Sequence, residues 1–559
     1  MEIVKILLKN QTVTDIGHYF LLDVDRFYGL EYEEFPAQVA QVAMWLIDHQ
    51  MNMKASETFG EYYVRLPLKK SATIKHANAL QTDWQSLIEP LPWEKGEQKF
   101  DYIFSNPPFV GKSLQNTDQK KDMELIFAGV NGAGVLDYVA AWYIKAAQYM
   151  QQHNQVSDTS KVSDTLTRCA FVSTNSISQG EQVSILWNEL FNKYKIKIHF
   201  AHRTFKWRNE VRSNAAVHVV IIGFANFNIN EKRIFEYENI KAEPHELKVK
   251  NINPYLVEGK DFVINTRNKP INNVPEMLKG SQPTDDGNLL LSDEAKIEFI
   301  KIEPRANPFI KPFVSAREFL HNQKRWCFWL VNANPTELKQ CSNLLKKIEA
   351  VKQFRLKSTK ASTIKWANMP GLFTENRQPT SEYILIPRHS SENRKYIPFG
   401  FFSSDFIIAD SCNSIPNATK YHFGILSSEM HMIWIKNVCG RLESRFRYSN
   451  DIVYNNFPWP ENLSEKQKQA VEVASESVLN VRAKFPNASL ADLYDPNTMP
   501  PELVKAHQSL DKAVDLCYRP QPFINETKRI EFLFELYDKY TSGLFVKEKK
   551  KAKTKKFTS

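Results

Sequence analysis

The sequence predicts an α/β domain, followed by a mixed α+β domain and a helical region. Short β-branched or aromatic runs alternate with helical patterns between Phe20 and about Phe227, which is typical of an α/β fold. From about Asn251 the pattern changes to short strands and turns. After Pro460 the segment SEKQKQAVEVASESVLNVRAKF has the apolar spacing of an amphipathic helix, and helical patterns continue to Phe545.

Each element of the α/β region follows from its own apolar pattern. Six segments rich in β-branched and aromatic residues are predicted strands: FLLDVDRFYGLE, ATIKHANAL, FDYIFSN, RCAFVSTNSI, IKIHFAHRTF and AAVHVVIIGF. Two segments have apolar residues at helical spacing, PAQVAQVAMWLIDHQ and DYVAAWYIKAAQYMQQ. The polar segment NQVSDTSKVSDTLT indicates a surface loop. We therefore expect domains at 1–245, 246–462 and 463–546, followed by a disordered basic tail at 547–559.

Length and composition indicate a folded, soluble protein. The 559 residues leave room for three or four domains of about 150 residues. Aromatic residues make up 12% of the chain, which is too many for a disordered protein. The most apolar stretch, Ala215–Phe227, is shorter than the ~20 residues of a membrane-spanning helix, and MEIVKILLKN lacks the features of a signal peptide. We expect a cytoplasmic protein without a membrane partner.

Cysteine spacing and charge are less specific. The six cysteines lie far apart, with no CxxC pair and no Cys/His cluster at metal-ligand spacing, so neither a disulfide framework nor a metal site is expected. The net charge is +10, of which the last thirteen residues, with seven Lys and one Glu, carry +6. The remaining +4 permits a polyanionic partner without requiring one.

The most specific motif is Asn106-Pro107-Pro108-Phe109, which follows the predicted strand at FDYIFSN. Ligands bind at strand ends in open α/β sheets. The prolines remove two N–H donors, so the Asn106 amide oxygen and the Pro107 carbonyl form a pair of acceptors. Such a pair would localise the lone pair of an aromatic amine such as adenine N6, and Phe109 would stack on a flipped base. The alternative is a proline-rich turn that ends a strand.

Two carboxylates follow the strands that precede this motif. Glu31 comes after FYGL, where an acid of a nucleotide-binding unit bonds ribose hydroxyls, although it also suits a helix start. Asp83 follows the next strand and also suits a turn, and Trp84 beside it is expected to cover an adenine ring. Two acids and then NPPF at three successive strand ends form a combination that independent turns would seldom produce.

Many segments resemble DNA adenine-N6 methyltransferases, and more closely the modification and recognition portion of single-chain type IIL restriction-modification enzymes. In the first region these segments are FYGLEYEEFPAQVAQVAMWLIDHQMN, NALQTDW, NPPFVGK, LDYVAAWYIKAA, FVSTNSISQGEQVSILW and FAHRTFKWRN. In the later regions they are FVSAREFLHNQKRWCFWL, ILIPRHSSENRKYIPFGFF, GRLESRFRYSNDIVYNNFPWP and LADLYDPNTMPPELVKAH. The resemblance extends from Phe27 to Phe545.

The resemblance implies a Rossmann-like domain that uses S-adenosylmethionine to methylate adenine N6 in double-stranded DNA. A target-recognition domain and a helical C-terminal region would follow it. By this resemblance Glu31 would hold the cofactor ribose, Asp83 its adenine amine, and Asn106–Phe109 the target adenine, with Asp137 in the next motif. The target-base pocket would be lined by Thr204, Phe205 and Trp207.

Two features of such enzymes are not found in the sequence. A glycine-rich loop should precede the ribose acid and hold the methionine part of the cofactor, but only Gly17 and Gly29 precede Glu31, with no GxG. The N-terminal nuclease domain is also not found. We therefore expect a methyltransferase domain that is incomplete at its N-terminus, with MEIVKILLKN as the end of the helix after the loop. A complementing polypeptide would supply the first strand and the loop.

The triplets EQK at 97–99 and EAK at 294–296 match part of a nuclease site, and we discount both. The first lies in a predicted loop, and the second follows Ser292 at a predicted helix start.

In GRLESRFRYS, Glu443 and Arg445 are expected to contact base edges in the major groove. Arginine pairs with guanine acceptors and glutamate with the cytosine amine. The alternative is a surface ion pair.

Four further functions are weighed against adenine methylation. A C5-cytosine mechanism would need a nucleophilic thiolate after a proline, and no cysteine follows a proline. A non-catalytic DNA-recognition subunit remains an alternative, as does methylation of RNA or of a protein glutamine. The long second domain favours DNA over the last two.

Overall fold

A computed structural model describes residues 22–59, 71–88, 98–154, 166–207, 217–237, 243–442 and 444–555, with the backbone alone at 59, 207, 217 and 543–555. The chain divides into two compact units. The first unit consists of Met1–Ser173, Glu189–His199 and Ile221–Ile229. The second unit consists of Thr174–Asn188, Phe200–Val220 and Asn230–Ser559.

Strands and helices alternate through the first part of the chain. They are β1 (Tyr28–Glu31), α1 (Glu34–Phe59), β2 (Thr73–His76), β3 (Tyr102–Ser105), α2 (Thr117–Ile126), α3 (Ala140–His153), β4 (Arg168–Thr174), α4 (Glu181–Asn192), β5 (Lys197–Trp207), β6 (Val217–Ala225), β7 (Lys232–Tyr237) and β8 (Pro244–Val249). The six predicted strands and the two predicted helices are all present, so the α/β prediction is confirmed. The segment MEIVKILLKN and most of the predicted polar loop lie outside the described residues.

β1 and β2 form a parallel pair in which Glu31 lies opposite His76. The Ile74 side chain lies over Gly29, because a Cβ atom at this position would lie 2.7 Å from the Ile74 Cδ1 atom. Gly29 therefore serves strand packing.

β3 pairs in parallel with β4, with Ser105 opposite Phe171. In the described part of the first unit, β1 and β2 form a sheet of their own, and β3 stands at the end of its sheet. An end strand has one row of backbone N–H and C=O groups without a strand partner. Within the described residues, β3 therefore has one edge without a strand neighbour.

α3 provides the core of the first unit. Its Tyr143 ring is fully buried and contacts the rings of Phe171 and Phe224, with centroid distances of 5.2 and 5.1 Å. At the C-terminal end of α3, Asn154 donates to the Thr167 carbonyl oxygen and accepts from the Thr167 N–H. These contacts fix the helix against β4.

Shorter elements make up the remainder of the chain. They are β9 (Leu278–Lys279), β10 (Leu290–Ser292), α5 (Asp293–Ile302), β11 (Ile310–Val314), α6 (Ala316–His321), β12 (Arg325–Phe328), α7 (Pro335–Leu338), α8 (Ser342–Leu356), α9 (Ala361–Lys365), β13 (Tyr383–Pro387), β14 (His389–Ser390), β15 (Gly400–Phe402), β16 (Ile407–Ile408), β17 (Cys412–Pro416), α10 (Lys420–Leu426), α11 (Glu429–Val438), β18 (Arg441–Leu442), β19 (Arg445–Arg447), α12 (Glu465–Ala483), α13 (Leu490–Leu493), α14 (Pro501–Tyr518) and α15 (Glu526–Lys555). Three small sheets have the orders β10-β12-β11-β16, β15-β13-β17-β9 and β14-β19-β18. The predicted mixed α+β region and the helical region after it are both present.

The segment SDEAK begins a helix, as predicted. The Ser292 hydroxyl accepts from the Ala295 N–H at 3.1 Å and caps α5. In the other triplet, Lys99 donates to the His153 carbonyl oxygen at 2.8 Å, and Glu97 lies outside the described residues. The EAK triplet is therefore a capped helix start.

The C-terminal helices pack closely against one another. A Cβ atom at Gly424 of α10 would lie 2.6 Å from Val471 of α12, so glycine is needed at this crossing. α15 extends to Lys555 and enters the tail that was expected to be disordered. Lysine and alanine are good helix formers, which suits a helix in this segment. Among the residues that the structure describes, no helix is long and apolar enough to cross a membrane.

Asp511 of α14 is a buried acid that makes stability depend on pH. Its carboxylate accepts from the Tyr396 hydroxyl at 2.6 Å and from the Glu429 N–H at 2.7 Å, but burial dominates and raises the pKa of Asp511 to about 6. Between about pH 4 and 6 the folded chain keeps a proton that the unfolded chain loses. Stability is therefore expected to fall as the pH rises through this window, by up to about 3 kcal/mol.

Asp511→Asn is expected to remove this pH dependence, because an amide retains an acceptor and carries no charge. The measurement is the urea midpoint of unfolding at pH 4, 5 and 7. Glu535→Gln, at an exposed position of α15, is the control. A wild-type midpoint that does not fall between pH 4 and 7, relative to that of Asp511→Asn, would contradict the prediction.

Candidate active site

The NPPF motif begins where β3 ends. Asn106 is exposed directly after Ser105, and its side-chain amide makes no hydrogen bond within the described part of the chain. Pro107 is buried, Pro108 is exposed and Phe109 is half-buried. The polar group of Asn106 therefore faces solvent at the end of a parallel strand, while the proline after it anchors the turn.

The turn itself leaves a second acceptor available. The Pro108 carbonyl oxygen accepts from the Val110 N–H at 3.2 Å. The Pro107 carbonyl oxygen accepts no hydrogen bond from any described residue. The predicted acceptor pair, the Asn106 amide oxygen and the Pro107 carbonyl, is thus left without a protein donor in the described chain.

The segment LDYVAA supports this turn. The Val110 carbonyl oxygen accepts from the Tyr138 N–H at 2.9 Å. Asp137, the residue before it, lies close to Gly111, where an added Cβ atom would be 3.7 Å from the Asp137 Oδ1 atom. The segment that contains Asp137 therefore lies next to the NPPF turn. The resemblance assigns Asp137 to the motif that follows NPPF.

Glu31 lies at the C-terminal end of β1 and is half-buried. Its Oε1 atom accepts from the Glu33 N–H at 3.2 Å, so the carboxylate partly serves the start of α1. Its other oxygen makes no hydrogen bond within the described residues. One carboxylate oxygen of Glu31 thus bonds the backbone near the helix start, as the alternative to ribose binding proposed. The other oxygen is available to accept a hydrogen bond from a ligand.

Asp83 is exposed and accepts from the Gln85 N–H at 3.1 Å, which caps a 3-10 turn at Trp84–Leu87. Lys145 of α3 lies near Asp83. Burial lowers the pKa of Lys145, and the Asp83 carboxylate acts in the opposite direction. Asp83 thus combines the turn role with an electrostatic contact to α3.

The Trp84 side chain is buried within its own unit. Its side chain is 6% exposed, its Nε1 atom donates to the Ala79 carbonyl oxygen, and its ring lies 6.1 Å from that of Tyr149. The expectation that it covers an adenine is wrong, because hydrophobic burial places this indole in the core.

Asp122 of α2 joins the segments of the site, although the sequence did not predict it. The buried carboxylate accepts from the Asn78 side chain at 3.0 Å, from the Gln81 side chain at 2.8 Å and from the Tyr138 hydroxyl at 2.6 Å. Burial opposes its ionisation, but the three hydrogen bonds outweigh burial and lower the pKa of Asp122. Tyr32, next to Glu31, also acts electrostatically on Tyr138. No local motif marks Asp122, because its partners are distant in sequence.

The two acids fit recognition of a nucleoside. They follow neighbouring parallel strands, and each retains one carboxylate oxygen that no described residue bonds. Carboxylates accept hydrogen bonds from ribose hydroxyls and from an exocyclic amine. The residues present therefore fit the nucleoside half of a cofactor such as S-adenosylmethionine.

The residues expected to line the target-base pocket lie on β5, in the second unit. The half-buried Phe205 ring stacks on Tyr237 with a centroid distance of 5.1 Å, and His202 bonds the Tyr237 hydroxyl at 2.8 Å. Thr204 and Phe205 point to opposite faces, because side chains alternate along a strand. Trp207 is the last residue of β5, and its side chain lies outside the described part.

Arg445 and Arg447 are exposed on the same face of β19, while Phe446 between them is 1% exposed. The Arg441 guanidinium covers the Phe446 ring at 3.9 Å from its centroid. Glu443 lies outside the described residues. Contact of Glu443 and Arg445 with base edges therefore stays a prediction, and a surface ion pair between them stays the alternative.

This face carries positive charge. Burial lowers the pKa of His389 on the adjacent β14, and Arg388, Arg447 and Arg445 lower it further. Clustered cations of this kind attract polyanions.

All six cysteines are free and buried. Burial raises the pKa of the Cys169, Cys327 and Cys412 thiols, so none of these three is a ready thiolate. In the described residues, no group of three or more His, Cys, Asp or Glu side chains could hold a metal ion.

Three family models match the chain in succession. The DNA-methyltransferase domain of MmeI matches residues 2–236, the MmeI target recognition domain matches 258–461, and the MmeI C-terminal domain matches 463–545. The predicted order of α/β methyltransferase domain, α+β recognition domain and helical C-terminal region is therefore confirmed.

Two known proteins are similar over almost the whole chain. DNA methyltransferase A of Bacillus subtilis (strain 168) is 39% identical over 531 residues, which make up 94% of this chain and 58% of that protein. A solved structure of the type IIL restriction-modification enzyme MmeI in complex with DNA is 50% identical, with a TM-score of 0.80. That match covers 95% of this chain and 68% of the MmeI chain. The chain thus spans less than two thirds of the length of the Bacillus protein.

Proposed function

This chain belongs to the MmeI family of type IIL restriction-modification enzymes, and on that basis we propose that it methylates adenine N6 at a specific site in double-stranded DNA. The observation that carries the proposal is the acceptor pair at the end of β3, formed by Asn106 and Pro107. A pair of acceptors suits an amine with two hydrogens. A C5-cytosine reaction would need a thiolate instead.

The proposed chemistry is direct transfer without a covalent enzyme intermediate. The Asn106 amide oxygen and the Pro107 carbonyl accept the two N6 hydrogens, which concentrates the nitrogen lone pair. The nitrogen–methyl bond forms as the sulfur–methyl bond breaks, and the amine then loses one proton to solvent. S-adenosylmethionine, when bound, supplies the methyl group and leaves as S-adenosylhomocysteine.

The cofactor nucleoside is proposed to lie against Glu31 and Asp83, one carboxylate for the ribose and one for the adenine amine. The network around Asp122 is proposed to position Asp83 by joining the segment after β2 to Tyr138. A complementing polypeptide that carries a glycine-rich turn is proposed to hold the methionine half, since the sequence has no such turn before Glu31.

The remaining assignments concern DNA. Thr204, Phe205 and Trp207 are proposed to contact the flipped adenine, and Glu443 and Arg445 to contact base edges. We propose domain boundaries at 1–245, 246–462 and 463–546, followed by the basic tail at 547–559. The positive face around Arg445 supports a polyanionic partner.

Methyl transfer from labelled S-adenosylmethionine tests the function. The chain, with a complementing fragment, is offered duplex DNA, RNA and protein, and the modified nucleoside or amino acid is identified by mass spectrometry. N6-methyladenine in duplex DNA supports the proposal. Specific DNA binding without transfer would favour a recognition subunit. Transfer to RNA would favour an RNA methyltransferase, and transfer to a glutamine side chain would favour a protein methyltransferase.

Phe109→Ala is expected to weaken capture of the flipped adenine. Loss of base stacking on an aromatic ring costs roughly 1 to 3 kcal/mol. The measurement is the affinity for duplex DNA that carries 2-aminopurine at the target position, together with the fluorescence change on flipping. Phe109→Tyr, which keeps a flat ring, is the matched control. Equal flipping by the alanine variant and the wild type would contradict the stacking role.

Replacing Glu443 with lysine and Arg445 with aspartate is expected to change the methylated site at one position. A good bidentate pair discriminates between bases by about 1–3 kcal/mol. Sequencing of methylated DNA measures the change. The control is Glu465→Lys with Lys466→Asp, an exchange of charges with the same net change at exposed positions of α12. An unchanged site with weaker binding alone would show that these residues contact phosphates.

A further inference from the structure

Arg203 of β5 directly precedes Thr204 and bonds two other elements of the second unit. Its Nη1 atom donates to the Glu236 Oε1 atom of β7 at 2.6 Å, and its Nη2 atom donates to the Asn437 Oδ1 atom of α11 at 2.8 Å. The guanidinium is planar, with its donors in a fixed fork, so it holds both partners at set positions. Arg203 therefore joins the strand of the proposed target-base pocket to α11.

Both partners of Arg203 make further hydrogen bonds. The Glu236 Oε1 atom also accepts from the Thr527 hydroxyl of α15 at 3.1 Å. Asn437 is 8% exposed, and its Nδ2 atom donates at 2.8 Å to the Ile433 carbonyl oxygen, four residues earlier in α11. Because the amide nitrogen is used within the helix, the amide oxygen is the atom that accepts from Arg203. A polar network with its hydrogen bonds satisfied makes the elements that it joins more rigid.

The end of α11 that Arg203 contacts also holds the antiparallel strands β18 and β19, which we call the recognition hairpin because Arg445 lies on it. Arg441 begins this hairpin. Its guanidinium donates to the Lys436 carbonyl oxygen of α11 at 3.3 Å and to the Ser444 carbonyl oxygen at 3.0 Å. Lys436 directly precedes Asn437 in α11. A continuous set of hydrogen bonds therefore extends from β5 through α11 to the recognition hairpin.

A second contact fixes the same end of α11. The Gly180 N–H donates to the Val438 carbonyl oxygen at 3.0 Å. Gly180 has a φ of 73°, and a Cβ atom at this position would lie 2.9 Å from the Gly440 Cα atom, so glycine is required here. Gly180 and Arg203 belong to the range that matches the methyltransferase model, whereas α11 belongs to the range that matches the recognition model. The end of α11 is thus where residues of the two family domains bond each other within one compact unit.

We infer that Arg203 is a positioning residue that couples base reading by the recognition hairpin to capture of the target adenine beside β5. Thr204 and Phe205 directly follow Arg203, and the Phe205 ring stacks on Tyr237, which directly follows Glu236. One guanidinium therefore sets the position of both strands that carry this stack. When the hairpin contacts the correct base pair, α11 and Arg203 hold β5 in the arrangement that accepts the flipped base.

The inference deepens the proposed function and rests on it, because base reading and the target-base pocket are both part of that proposal. Coupling between two sites can be carried by hydrogen-bond networks that connect them, and its evidence is a measured interaction between the residues of the network. Couplings of this kind typically change an equilibrium about 5- to 150-fold.

The test measures flipping of 2-aminopurine by the full chain at DNA concentrations that saturate binding. The recognised duplex is first selected from random DNA by binding to the wild-type chain, and 2-aminopurine then replaces each adenine in turn. Flipping is compared with that in a duplex altered at the base pair to which wild-type flipping is most sensitive. Arg203→Lys keeps the charge but loses the fork, so the ratio of the two signals should fall at least fivefold. Affinity for the selected duplex should stay within about twofold of wild type, because Arg203 is proposed to contact protein groups and not DNA.

Arg233→Lys is the matched control, because Arg233 is an exposed arginine of β7 with ion pairs to Glu231 and Glu246. It should keep the wild-type ratio. Asn437→Ala removes the acceptor of the same hydrogen bond and should lower the ratio as Arg203→Lys does. The two substitutions together should lower it no further than either alone, as expected of residues that act through one contact. Circular dichroism melting of each variant separates loss of coupling from loss of folding.

Three results would overturn the inference while the proposed function stands, since in each of them the wild type flips an adenine. Arg203→Lys keeps the wild-type ratio, or it loses DNA affinity and flipping by the same factor, or its effect and that of Asn437→Ala add independently. The second of these results would make Arg203 a phosphate contact. If the wild type flips no adenine of the selected duplex, the proposed target-base pocket is wrong, and the inference fails with it.

Discussion

Asn106→Ala is expected to abolish methyl transfer while DNA binding stays close to that of the wild type. The substitution removes one of two acceptors that face the amine as its lone pair attacks. Loss of one preorganised polar group at a reacting centre lowers the rate by about 10²–10³-fold. The change should appear in kcat, measured in single-turnover reactions with saturating DNA and cofactor.

Asn131→Ala is the control for this prediction, because Asn131 is an exposed asparagine in a turn of the same unit. Its transfer rate should match that of the wild type. Full activity of Asn106→Ala in the complemented enzyme would show that the acceptor pair does not activate the adenine amine. A loss of DNA affinity equal to the loss of rate would show instead that Asn106 contributes to substrate binding.

The 559-residue chain by itself is expected to bind S-adenosylmethionine very weakly and to transfer no methyl group. Glu31 and Asp83 are proposed to contact only the nucleoside half of S-adenosylmethionine, and no glycine-rich turn precedes them in the sequence. Hydrogen bonds to charged groups contribute about 1.5–3 kcal/mol each, so two missing contacts to the methionine half lower affinity by a hundredfold or more. Isothermal titration of the cofactor measures this directly.

Addition of a fragment that carries the glycine-rich turn should restore both cofactor binding and transfer. The control is the same fragment with its glycines replaced by valine, which should still dock but should not restore cofactor binding. Tight cofactor binding and turnover by the chain alone would refute the need for a partner.

The NPPF turn shows what local sequence can predict about a site. Proline restricts its own backbone and removes its own N–H, so the available carbonyl at Pro107 follows from the residues of the turn. The strands and helices of the first region likewise follow from apolar spacing within each segment. The capped start of α5 at Ser292 is another local property, and it was correctly predicted.

Trp84 and Asp122 show where local sequence is insufficient. Trp84 adjoins Asp83, and proximity in sequence suggested a ligand contact, but its ring packs against Tyr149. Asp122 has no motif around it, yet it bonds residues that lie 16 to 44 positions away. Such partners are chosen by the packing of whole elements.

The sequence by itself determined the elements, their order and the polar groups at the ends of the strands, because backbone geometry and side-chain spacing are set by neighbouring residues. Only the tertiary structure decided which of those groups is covered. It placed Trp84 in the core and made Asp122 the link between the segment after β2 and the segment that contains Tyr138. Burial depends on contacts between residues far apart in the chain, and a local pattern of apolar residues does not specify what covers them.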